Sequence, residues 1–214
     1  MKIQATQGSP TRIFVSCCRL CRLFSEVYFG RRLCQVFRCA GILKDALDYL
    51  TEHIKLRRNN LAAKRIGLTE LLEAGDVASM EVSLVVSIIE HINPERFEQY
   101  KDKEISLVHK VFTIIGVNTT KAYRYSKSRA GAMGLFQFVP ATYRMLLETY
   151  RSAGLKKDFV SGCRDHVNAA KASLLLFDAD LEDLPRKLWS VLKDSRSVGM
   201  YLAAAYNCGP KKGG

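Results

Sequence analysis

The chain has 214 residues, 48% of them hydrophobic and 25% charged, the balance of a folded globular protein and not of a disordered or collagen-like one. Its formal charge is +12, and it is uneven: residues 1–67 hold 13 Lys and Arg against 4 Asp and Glu, while the remainder holds 20 against 17. No uncharged apolar run approaches the roughly 18–20 residues that a bilayer-spanning helix needs.

In chain order, residues 1–11 are polar, and residues 12–40 mix Leu, Phe, Cys and Arg with a break at Gly30. Arg12, Arg19 and Arg22 interrupt any apolar core near the start, so no clear signal peptide is visible. Cys18, Cys21, Cys34 and Cys39 can be written C-x2-C-x12-C-x4-C, a spacing that invites zinc. No Gly/Pro-rich knuckle surrounds them, and free thiols on a reduced amphipathic segment are the expectation. The odd total of 7 cysteines also argues against a complete disulfide framework. Residues 41–58 read as a helix, with Leu43, Ala46, Leu47 and Leu50 on one face. Together, residues 1–67 form an expected basic, Cys-rich helical extension. Its surplus of positive charge predicts salt-sensitive attraction to an anionic wall polymer or membrane surface. A solvated charged face is the plainer alternative. A phosphate-contacting arm for nucleic acid is the third reading. No groove-reading motif accompanies the basic residues, so no nucleic-acid partner is expected.

A short helix is expected around residues 68–73. Next, "ASMEVSLVVSIIEHINPE" places Val82, Val85, Val86 and Ile89 at i, i+3, i+4 and i+7, a buried helical stripe that Pro94 ends. A second apolar helix spans residues 105–115, with Gly116 as its expected cap. "SKSRAGAMGLFQFVPATY" reads as a turn permitted by Gly131 and Gly134, a short rigid piece carrying Gln137 and Phe138, and a helix opened by Pro140. A loop containing Gly154 and Gly162 follows. Then come a helix with Ala170, Leu174, Phe177 and Leu181 inward and a last one with Val198, Tyr201, Leu202 and Ala205 at the same spacing. No segment alternates like a strand, so the fold class is all-α. His91, His109 and His166 lack metal-ligand spacing, and neither metal nor cofactor is implied.

Three separated pieces, "SKSRAGAMGLFQFVPATY", "DHVNAAKASLLLF" and "YLAAAYNCGP", together resemble the lytic transglycosylases of the lysozyme-like superfamily. The resemblance covers roughly residues 80–210 and implies a lysozyme-like helical domain over residues 78–214, ending sooner than the family usually does. It implies that Gln137, Phe138, Tyr206 and Asn207 contact peptidoglycan glycan strands in a cleft. It also implies a cell-envelope location, in the periplasm or cell wall. Such enzymes cut the bond between N-acetylmuramic acid and N-acetylglucosamine with a single Glu as acid and then base, leaving a 1,6-anhydro end.

The sequence departs from the family at that Glu. In compact members it precedes the Ser-x-x-Gly-Ala segment by a short loop, and the matching place holds Asn118, Thr119 and Thr120. Glu90, ending the Val82–Ile89 stripe, is the candidate catalytic acid, with residues 92–117 as an inserted helical excursion. Glu104 looks like a charge opening its own helix. The alternative is an inactive site that binds glycan without cutting it. Gln137 as an amide that ties its own turn, Tyr206 as core packing and Asn207 as a helix stop are the structural readings. Asp165 and Asn168 are read as helix-start residues.

Overall fold

A computed structural model describes residues 41–63, 76–92, 96, 99–100, 103–184 and 195–208. The Cys18–Cys39 cluster and the expected helix at 68–73 lie outside them. Among the described residues the fold is all-α, and the only extended pairings are two isolated bridges, Lys127 to Met133 and Met133 to Phe138.

Helix α1 (Ile42–Ala63) follows Gly41, which takes a positive φ of 79°. Ala46, Leu50 and Ile54 recur every fourth residue, and all three are buried, the stripe of a helix seated on a core. α1 packs most extensively on α3 (Glu104–Asn118) and also on α6 (His166–Glu182) and α2 (Asp76–Ile89). The described part of the region read as an extension is therefore built into the same core as the rest. The boundary expected at residue 67 falls outside the described residues.

α2 buries Val82, Val85, Val86 and Ile89 as the spacing predicts, together with Ser83 and Ser87. The two serines are small enough to let helices approach. Ser83 Oγ bonds Ser173 Oγ of α6 at 2.8 Å, and Ser87 Oγ donates to the Leu84 carbonyl at 2.7 Å. Neither hydroxyl is left unpaired in the interior.

α3 runs through Gly116 and stops at Asn118, with Thr119 as the cap. The expected stop at Gly116 is thus corrected. A helical glycine costs about 1 kcal/mol relative to alanine, and burial of Phe112 and Ile115 on the core side of the last turns outweighs that. α3 packs against α1 and α2, so the helical part of the excursion expected over 92–117 that is described belongs to the core.

α4 (Pro140–Thr149) opens on its proline. The expected loop at Gly162 is instead a short helix, α5 (Phe159–Arg164). Asp158 caps it by accepting from the Ser161 amide at 2.8 Å. A Cβ on Gly162 would lie 2.1 Å from the Tyr143 hydroxyl, so the glycine serves a close approach rather than a turn. α6 is the central helix, buried along most of its length. Ala170, Leu174, Phe177 and Leu181 all face inward. α7 (Ser195–Cys208) lies against α2, with Val198, Leu202 and Ala205 buried.

Candidate functional site

The segment 126–138 is a tight double turn held by its own backbone. Ser128 N donates to Ala132 O at 2.9 Å, Gly134 N to Ser126 O at 3.0 Å, and Met133 N to Phe138 O at 2.9 Å. Gly134 has φ 77°, and a Cβ there would meet the Cys163 carbonyl oxygen at 2.1 Å. Position 134 therefore needs glycine twice over, for its φ and for the approach of the α5 backbone. Gly131, at φ 84°, has open space around it and needs glycine for conformation alone.

Gln137 sits at φ 48°, rare for a residue with a side chain. Its Nε2 donates to Gly134 O at 2.7 Å and to Ser126 Oγ at 3.1 Å. The amide nitrogen thus ties the turn, while Oε1 has no hydrogen bond among the described residues. Phe138 does not present a face to a ligand: it is 2% exposed, because its ring fills the space between Phe136, Tyr143 and Tyr206. Its expected role in substrate contact is corrected to support of the site from within.

Tyr206, from α7, lies edge-on to Phe138 and Phe177 with ring centres 6.1 and 6.0 Å away. Its hydroxyl donates to the Phe136 carbonyl. Burial lifts its pKa well above the ordinary tyrosine value, and the charge of Glu90 adds to the effect. Tyr206 and Glu90 are thus electrostatic neighbours across 116 positions of sequence. The Asn207 side chain lies outside the described residues.

Glu90 is the first residue beyond α2, its amide still bonded to Val86 O at 3.1 Å. The side chain is half-buried. Burial pushes its carboxyl up to about 7, since removing water penalises the charged form. It makes no hydrogen bond or ion pair with the described residues. His91 fastens this helix end to the double turn: its Nε2 lies 2.9 Å from Leu135 O, and its ring stacks on Tyr123 at 3.5 Å. Burial pushes the His91 pKa down to about 4. The ring is therefore neutral near pH 7, and because a carbonyl only accepts, Nε2 carries the proton. Sequence reasoning assigned His91 nothing; only its position beside Glu90 marked it.

Thr119 is exposed, with φ 45° and ψ −115°, an outlier for a β-branched residue. Glu104 opens α3. Asp165 caps α6, accepting from Val167 N at 3.0 Å and Asn168 N at 3.1 Å. Asn168 bridges Tyr143, Gly162 and Lys156. Both are structural, as read.

A second feature escaped the sequence altogether. A polar cleft of about 350 Å³ is lined by Tyr49 and His53 of α1, Thr120 and Arg124 after α3, and residues around the starts of α5 and α6. At its base the His166 ring is fixed between the Ala122 carbonyl on Nε2, 2.8 Å, and the Tyr49 hydroxyl on Nδ1, 2.9 Å. Burial first, then His53 and Arg124, hold its pKa below the usual histidine value. Neither Glu90 nor Tyr206 lines this cleft. Among the described residues, no helix is long and apolar enough to cross a membrane. Comparison with known protein families, curated proteins and solved structures gives no match for this chain.

Proposed function

We propose that the chain is a peptidoglycan lytic transglycosylase with a lysozyme-like domain, using Glu90 as its single acid and base. One observation carries this reading: two distant helix ends meet the double turn at adjacent residues. His91, next to Glu90, bonds the Leu135 carbonyl, and Tyr206 bonds the Phe136 carbonyl. A carboxyl near 7 is what a lone acid requires, since it must hold its proton until the bond breaks.

In the proposed reaction, protonated Glu90 gives its proton to the glycosidic oxygen as the bond from C1 of N-acetylmuramic acid breaks. The substrate's acetamido oxygen stabilises the cationic C1, in the manner of substrate-assisted glycosidases. The Glu90 carboxylate then takes the proton of the 6-hydroxyl while O6 bonds C1. The anhydro ring closes, Glu90 regains its proton, and no water is consumed. Oε1 of Gln137 is the group left to accept a hydrogen bond from the sugar.

The second reading is a glycan-binding protein without catalysis. It draws on Thr119, which occupies the family's acid position without a titratable group. Under either reading the partner is peptidoglycan in the cell envelope, with residues 1–40 supplying attraction to anionic wall polymer or membrane. Incubation with purified peptidoglycan decides between them. Anhydro-muropeptides from wild type and none from Glu90→Gln support the enzyme. An inactive wild type that gains activity on Thr119→Glu supports the binding protein.

A further inference from the structure

The cleft beside α1 holds more positive charge than its own structure consumes. Its two carboxylates have fixed tasks. Asp158 Oδ1 caps α5 through the Ser161 amide. Asp165 caps α6 with Oδ1, and its Oδ2 pairs with Lys156 Nζ at 2.8 Å. Lys156 is thereby neutralised. Arg124 and Arg164 make no hydrogen bond or ion pair among the described residues, although the charge of Asp158 acts on Arg164 without direct contact. Both are held over the ring of Tyr125, with the guanidinium carbon 5.9 Å from its centre for Arg124 and 4.8 Å for Arg164.

Arg164 adds a second observation. Its Nε is shut off from water and has no hydrogen-bond partner. Buried donors are seldom left so, because an unmade hydrogen bond forfeits the solvation of that group. A guanidinium offers its N–H groups in a planar fork that matches two oxygens of one carboxylate or phosphate. Two such forks border one cavity, and the acids nearby are already occupied.

We infer that this cleft is a binding site for a small oxyanion group, a carboxylate or a phosphate, held by Arg124 and Arg164. It includes neither Glu90 nor Tyr206, but the two places adjoin: the segment 119–126 turns Tyr123 toward His91 and Arg124 toward the cleft, and α5 gives Arg164 to the cleft and its Cys163 carbonyl to the approach of Gly134.

The test uses the full chain and two probes, inorganic phosphate and acetate, titrated at constant ionic strength balanced with chloride. The readout is the thermal midpoint, which rises saturably when a ligand binds only the folded state. A rise with phosphate alone assigns a phosphate-bearing ligand, with acetate alone a carboxylate, and with both an oxyanion of either kind. In each case Arg124→Gln and Arg164→Gln are expected to weaken the apparent affinity at least tenfold. If Arg164→Gln does not fold, Arg124→Gln decides alone, because that side chain is exposed. No saturable rise with either anion overturns the site. So does a rise of equal affinity in wild type and variants, which would locate binding elsewhere, for instance in the basic residues 1–40. Glycan cleavage is not read in this experiment, so its failure leaves the role of Glu90 standing.

Discussion

Gly134 and Gly131 have nearly the same positive φ, 77° and 84°, yet different surroundings, and that separates two costs. Gly131→Ala is expected to cost on the order of 1 kcal/mol, from left-handed strain alone. Gly134→Ala adds a methyl 2.1 Å from a backbone oxygen, which no rotamer can relieve. It should cost about 3 kcal/mol or more. Urea unfolding of the two variants checks this, and equal losses would mean that the Cys163 carbonyl yields freely. Glu90 allows a comparison by pH. Its folded pKa of about 7 is raised from 4.5, so the stability it contributes is complete below 4.5 and is lost as pH rises through 7. Gln at 90 does not titrate. The stability of Glu90→Gln relative to wild type should therefore climb by on the order of 1–3 kcal/mol between pH 4.5 and 8. Burial also raises the Asp180 carboxyl to about 7 and lowers His91 to about 4, but both shifts occur in both chains and cancel to first order. A flat difference would mean that Glu90 is fully solvated. On peptidoglycan, the proposed mechanism predicts a rate loss at or beyond the 10²–10⁴-fold typical of general acid–base assistance. It also predicts a wild-type rate that falls above pH 7 as Glu90 loses its proton.

Helix boundaries show where the sequence was legible. α2, α6 and α7 carried an apolar stripe at helical spacing, and α4 carried Pro140 at its start, so their places could be read directly. α3 could not be read to its end, because a glycine is a common stop and the packing that overrides it comes from α1 and α2. α5 was hidden by its length of six residues and by Gly162, whose partner Tyr143 lies on another helix. The candidate site followed the same division. Gly134 announced a turn, but the close approach of the Cys163 carbonyl is a tertiary fact. Gln137, Tyr206 and Glu90 were marked by motif or by a helix end, whereas Tyr49, Arg124 and Arg164 become a cleft only once four stretches of chain converge. Caps were legible, and Asp165 tests how much one contributes. Asp165→Ala removes two amide bonds and the Lys156 pair, and should cost about 1–2 kcal/mol. Asp165→Asn keeps the cap and should lose only a few tenths, since Lys156 is half-exposed and such pairs contribute little. If both lose equally in thermal unfolding, the ion pair and not the cap stabilises α6.

Charge and core divide the chain at different places, and this sets how the basic region can be tested. Residues 1–67 carry the surplus charge, but α1 within them buries Ala46, Leu50 and Ile54 against the other helices and places the Tyr49 hydroxyl on His166. Removing residues 1–66 would strip that helix from α3 and α6 and expose their apolar faces to water. Each buried Leu or Ile side chain accounts for about 1.5–3 kcal/mol, so a loss of this size rivals the 5–15 kcal/mol that holds a domain folded. A chain shortened to begin at Gly67 is therefore expected to be unfolded or aggregated by circular dichroism and sedimentation. Its failure to bind cell-wall sacculi would say nothing about charge. A chain shortened to begin at Gly41 keeps α1 whole and still removes seven Lys and Arg against one Glu. That chain should fold with the thermal midpoint of the full protein to within a few degrees. It should bind sacculi more weakly at low salt, and the difference should vanish as added salt shortens the screening length from about 30 Å at 0.01 M to 8 Å at 0.15 M. Equal binding of the two chains at low salt would remove any role for residues 1–40 in attachment. A collapse of the chain beginning at Gly41 would instead mean that the core reaches into those residues.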